Sequence, residues 1–127
     1  MVMDNQEVSD QIEKIKFHIS LLSDTIDYQA HPVELLVLSK DWGREELEQA
    51  HDIFDKWDKI LREGGKIKQH EFECDFQDKL GIGYQGVKSV VNAFYKNDQW
   101  TDVCEAFVDS MGPHPSVEYL AIARREK

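Results

Sequence analysis

The stretch VSDQIEKIKFHISLLSDTI, Val8 to Ile26, decides the fold. Its apolar positions Val8, Ile12, Ile15, Ile19, Leu22 and Ile26 alternate spacings of four and three. That is the period of a helix carrying a heptad seam, not of a strand. Ser9 or Asp10 is placed to cap its start. Phe17 and Leu21 lie off the seam. Apolar groups on more than one side are what a long helix carries when it contacts both its own domain and something else.

Working outward, His31-Pro32 stops this helix and starts another, because proline disfavours the α conformation in the residue before it and suits a first helical turn. The second helix, Pro32 to about Lys40, offers Leu35, Leu36 and Leu38 for burial, and Asp41-Trp42-Gly43 makes a turn. A third helix is expected over 44–63, with Leu47, Ala50, Phe54, Trp57 and Leu61 on its apolar stripe. Asp52 with Lys56, Asp55 with Lys59 and Asp58 with Arg62 stand in acid-first order on its solvated face. Gly64-Gly65 ends it.

Beyond that stop, Phe72, Phe76 and Leu80 mark a fourth helix, Val87, Val90, Val91 and Phe94 a fifth, and Val103, Cys104, Phe107 and Val108 a sixth. Met111-Gly112-Pro113 breaks the pattern, and Ser116 to Lys127 either adds a short helix or stays mobile. The expected fold is all-α: a compact bundle of about five to six helices with a long N-terminal helix. It forms a single helical domain over 1–112, followed by a C-terminal extension over 113–127.

A chain of 127 residues supports one core. Its net charge of −10 is uneven: residues 1–63 hold 15 acidic against 7 basic groups, and residues 64–127 hold 10 against 8. Such a field repels phosphate backbones, so nucleic acid is disfavoured as a partner. The opening MVMDNQEVSD is acidic and has no apolar signal region. Apolar runs such as Leu35 to Leu38 are far short of the roughly 20 residues that span a bilayer. The expected location is the cytoplasm, without membrane attachment. There Cys74 and Cys104 remain thiols.

No motif for chemistry stands out. Gly64 to Phe72 has the cadence of the second half of an EF-hand loop, but that register puts Ile60, Arg62 and Gly64 where calcium needs oxygen donors. His70 and Cys74 sit at i, i+4, with no second pair to complete a zinc site. Nucleophile elbow, phosphate loop and dinucleotide fingerprint are all missing. No catalytic residue, metal or cofactor is expected. Among the tryptophans, Trp57 falls on an apolar stripe, while Trp42 at a turn and Trp100 at a helix start are candidate contact anchors.

Several stretches together resemble the YhaI-like family, small helical proteins of Bacillus-type bacteria and their prophages. They are IEKIKFHISLLSDTID, HPVELLVLSK, EELEQAHDIFDKW, GGKIKQHEFECDF, NAFYKNDQW and VCEAFVDSM, and they cover Ile12 to Met111. The resemblance implies an all-helical fold and self-association and assigns no functional residue. The ending GPHPSVEYLAIARREK extends past that pattern.

The expected function is that of a non-enzymatic protein-interaction module, a regulatory accessory protein acting through an amphipathic helix, with prophage or lysogeny control as one setting. It is expected to form a homo-oligomer, most simply a dimer. The interface candidates are Ile12, Ile15, Ile19, Leu22, Ile26, Trp42 and Trp100. Two alternatives stay open. One is a DNA-binding helix-turn-helix formed by the helices at 32–40 and 44–63, although Glu45, Glu46 and Glu48 would face phosphates. The other is an enzyme of unrecognised type.

Overall fold

A computed structural model describes residues 4–124; residues 1–3 and 125–127, the outer ends of the two expected spans, lie outside the described residues. Asp4 opens the first helix, its carboxylate accepting the Glu7 N–H at 2.7 Å. α1 (Asn5–Ser23) therefore begins a turn earlier than a cap at Ser9 or Asp10 implies. It also ends earlier than the seam promises. The Ser23 and Thr25 hydroxyls bond back to the Ser20 and Leu22 carbonyls, and Asp27 accepts the Gln29 N–H in an Asx turn. Short polar side chains of this kind offer the backbone an alternative to helix. Ile26 is thus outside α1, half-buried in the turn that follows, and the seam stops at Leu22.

Pro32 occupies the first turn of α2 (Pro32–Lys40). In α3 (Arg44–Arg62) the Glu46 carboxylate accepts the N–H of the capping Gly43 at 3.1 Å. Gly64 ends α3 at φ 85°, and Gly65 donates to the Ile60 carbonyl at 2.8 Å. A Cβ on Gly65 would come within 2.7 Å of the Ile60 side chain, so both glycines are needed where they stand. α4 (Gln69–Leu80), α5 (Tyr84–Lys96) and α6 (Thr101–Asp109) follow. A 3-10 turn (Val117–Tyr119) and a short α7 (Leu120–Ala123) follow, so the described residues form seven α-helices where about five to six were expected, with no strand among them.

The core is aromatic and centred on α3. The Phe54 ring lies 4.9 to 6.0 Å from the rings of Phe94, Trp100, Phe76 and Phe72. Phe72 in turn meets Phe107 at 4.4 Å. The polar side of α3 ties neighbours together more than it pairs with itself. Of the three acid-first pairs, Asp58 and Arg62 meet at 2.9 Å. Lys56, however, reaches across to Asp75 of α4 at 2.8 Å, and Asp55 accepts the Trp100 indole N–H at 3.1 Å. Asp75 also accepts the Trp57 indole N–H at 2.8 Å.

The main neighbour of α2 is α5, while α3 packs on α4 and α6. α2 and α3 share no extensive contact, so they do not brace each other as the two helices of a helix-turn-helix do. The stretch expected as an extension contributes to the core: Tyr119 and Ile122 are fully buried in it, and α7 packs on α6.

α1 behaves differently. Although α1 and α3 are equally long at 19 residues, α1 buries none of its residues and takes part in no extensive helix–helix contact among those described. The bundle is therefore built by the elements after α1. Phe17 and Leu21, 58% and 52% exposed, do not dock α1 on the core as their off-seam position implies. No helix among the described residues is long and apolar enough to cross a membrane.

Candidate functional site

Along α1, Val8, Ile12, Ile15, Ile19 and Leu22 form one stripe and are 42%, 46%, 54%, 44% and 65% exposed. With Phe17 and Leu21 on another side, seven large apolar side chains face solvent on one helix. Full burial of each would contribute about 1.5–3 kcal/mol, so at half exposure the helix withholds on the order of 5–10 kcal/mol of hydrophobic stabilisation. That equals the whole stability of an ordinary domain. Isolated exposed apolar residues need no explanation, whereas apolar sets of this size are uncommon on the surface of a monomer.

The charges on α1 are segregated. Glu7, Asp10 and Glu13 occupy its first half, while Lys14, Lys16 and His18 occupy its second, and all six are exposed. Glu7 in the first turn suits the helix dipole, while the last turn carries no base and is followed by Asp24. The same segregation gives the helix an electrical direction that a partner can read.

Of the remaining candidates, Trp42 projects half-buried from the α2–α3 turn. With Lys16, Ile19, Val37, Leu38 and Asp41 it lines a shallow cleft of about 230 Å³ between α1 and α2. An apolar groove of about 430 Å³ adjoins it, sharing Val37 and Leu38 and adding Val33, Glu34 and Leu47. The structure thus brings Trp42 to Ile19, with Ile12, Ile15 and Leu22 continuing from Ile19 along α1. Ile26 is not part of that stripe. Trp100 is committed to the fold: it caps α6 at φ 49°, stacks on Phe54 at 5.3 Å and 18°, and donates to Asp55. A sequence position in a helix's first turn gives no sign of that stacking, which depends on where α3 lies.

A second site escapes sequence reading. A cleft of about 460 Å³ between α2 and α5 is lined by residues including Tyr28, Leu36, Ser39, Lys88, Asn92 and Glu118. Lys88 is 6% exposed, a rare degree of burial for a lysine, and its ammonium lies 3.2 Å from the Glu118 carboxylate and 4.5 Å from the Tyr84 ring centre. Asn92 donates to the backbone carbonyls of both Lys88 and Glu118 at 3.0 Å. The four-residue spacings Tyr84, Lys88, Asn92 were visible; the partner 30 residues on was not.

Burial opposes the charge on Lys88, but its hydrogen bonds with Glu118 and Tyr84 outweigh burial and raise its pKa. Backbone hydrogen bonding and then Lys88 hold Glu118 below the usual carboxylate range. A depressed carboxylate stabilises the fold above its unfolded value, about 4.3, and that contribution is lost as pH falls through the folded value. The raised Lys88 keeps its part until pH rises past its own folded value. The pair therefore pins the 3-10 turn across neutral pH and releases it in acid. Amide protection over residues 117–123, corrected for intrinsic exchange, is expected to drop as pH falls below about 4.3. In Glu118→Gln it should be lower at neutral pH and flat across that fall. A wild-type tail equally protected throughout would contradict the pinning role.

The thiols show no sign of reactivity. Burial, and secondarily Glu105, pushes the Cys104 thiol far up, which keeps it protonated at neutral pH. Cys74 Sγ lies 3.5 Å from His70 Nε2, but no three His, Cys, Asp or Glu side chains come together as a metal site among the described residues.

A family model described as "Protein of unknown function (DUF1878)" matches residues 4–112, a span that contains α1 to α6 and stops before the 3-10 turn. No curated protein and no solved structure matches the chain.

Proposed function

We propose that this chain, which belongs to the family described as "Protein of unknown function (DUF1878)", is a non-enzymatic protein-interaction module whose contact surface is α1. The observation that carries the reading is the combination on α1 of seven exposed large apolar side chains with no buried residue. Most of the stability of a helix in a protein comes from packing its apolar face, not from the helix by itself. One that contributes nothing to its own core gains its stability from whatever covers it.

The charge of the helix favours protein over the other partner classes. A helix that lies on an anionic membrane or on nucleic acid presents clustered Lys and Arg, whereas α1 opens with Glu7, Asp10 and Glu13. The resemblance to YhaI-like proteins, which lies within the matched span, extends the proposal to a regulatory accessory role, with gene expression or lysogeny as its setting. Self-association belongs to the same reading.

The test is affinity capture of the tagged full-length chain from extracts of its native host, run beside Ile15→Asp, Ile19→Asp. Proteins retained by wild type and lost by the variant, whether other polypeptides or further copies of the chain, are the expected result. Identical retention by both would remove α1 as the contact surface.

A further inference from the structure

We infer that the partner of α1 is a second copy of this chain, the two α1 helices running antiparallel and each seated along the other's α1–α2 cleft. This rests on the reading of α1 as a contact surface and adds its occupant and direction.

Charge sets the direction. The first half of α1 carries Glu7, Asp10 and Glu13 with no base, and the second carries Lys14, Lys16 and His18 with no acid. A parallel pair lays acid on acid and base on base along the helix. An antiparallel pair lays each half on its opposite and opposes the two helix dipoles as well. The helix is roughly 28 Å long, and its acidic and basic groups centre about 9 Å apart along it, about one Debye length of physiological salt, with Glu13 and Lys16 pairing at 3.7 Å where the halves meet.

Area sets the number of surfaces. Seven apolar side chains at about half exposure offer roughly 600–700 Å² per copy, close to the about 800 Å² per partner of a standard stable interface. A simple two-helix coil would cover only the Val8–Leu22 stripe and leave Phe17 and Leu21 in water. Covering both sides requires α1 to lie between two surfaces. The body of the molecule supplies the second one beside the seam: the cleft of Ile19, Val37, Leu38 and Trp42, continued by the groove of Val33 and Leu47.

Leu38, 42% exposed, stands on the rim of both. In the antiparallel arrangement the acidic half of the incoming α1 reaches this cleft, whose α1 wall carries Lys16, while Glu34 and Asp41 stand on the α2 side. Because helix and seat adjoin on one face, a single two-fold axis fills both at once, as an isologous interface demands.

Disulfide trapping in the full chain reads the direction. In a Cys74→Ser background, cysteine is introduced separately at the two ends of α1, as Asn5→Cys and Ser23→Cys. Mixed under a mild oxidant, the two variants are expected to link to each other, while neither links to itself. Self-linking of each variant alone, or no link in the mixture, overturns the antiparallel pair.

Light scattering of the wild type at tens of micromolar guards against a folding defect in the variants: a dimer is expected, and a monomer overturns the proposal. Leu38→Asp tests the seat. It should raise the dimer dissociation constant at least tenfold with helicity kept, and an unchanged constant would show that the α2 side is not used. A monomeric chain whose α1 still captures another protein would end self-pairing alone; loss of both would end the contact-surface reading too.

Discussion

Replacing Ile15 and Ile19 together by aspartate is expected to convert the dimer proposed above into a monomer without unfolding the bundle. Both residues lie mid-stripe, 54% and 44% exposed in the single chain. In the monomer the new carboxylates simply enter water. In the dimer they would sit unpaired in an apolar contact, at a cost on the order of 4 kcal/mol or more for the pair. That corresponds to roughly a thousandfold in dissociation constant. Light scattering should report the monomer mass, and circular dichroism should lose at most the signal of α1. The thermal transition of the aromatic core should persist. Global unfolding would mean that α1 is part of the core, against its lack of any buried residue.

The opposite result is expected at Phe54→Ala. Phe54 is fully buried, and its ring meets those of Phe72, Phe76, Phe94 and Trp100, so it joins α3 to α4, α5 and the start of α6. Truncation leaves a cavity whose walls are other large rings with little freedom to close in. A loss of about 3–5 kcal/mol is expected. Against a total of about 5–15 kcal/mol, that brings the domain close to unfolding near body temperature. Denaturant titration measures it, and a loss under 1 kcal/mol would show that the core does not depend on this residue.

The contrast between these two sites also shows what a sequence can reveal. Helix positions on the body were legible because Phe54 and Trp57, Phe72 and Phe76, Val90 and Phe94, and Val103 and Phe107 recur at helical spacing and because Gly64-Gly65 has one economical use. The regularity of the first seam was legible too, but not whether it faces inward, since an apolar stripe looks alike in a core and in an interface. Its far end was misread because Ile26 keeps the period while Ser23, Thr25 and Asp27 end the helix with local hydrogen bonds.

Contacts between residues far apart in sequence were not legible. The Trp100 ring on Phe54, and its indole bond to Asp55 across 45 residues, depend on tertiary placement. The Lys88–Glu118 pair depends on the tail folding back over α5, and with it goes the reason that Tyr119 and Ile122 belong to the core.

The most direct measurement of the central claim is amide hydrogen exchange over residues 5–23 of the intact chain as a function of concentration. A helix of this length that nothing covers exchanges nearly as fast as a frayed terminus. Covered by a second copy, its amides should be protected at tens of micromolar and lose that protection on dilution, while the amides of α3 stay protected throughout. Protection of α1 that does not change with concentration, or its absence at every concentration, would contradict the account.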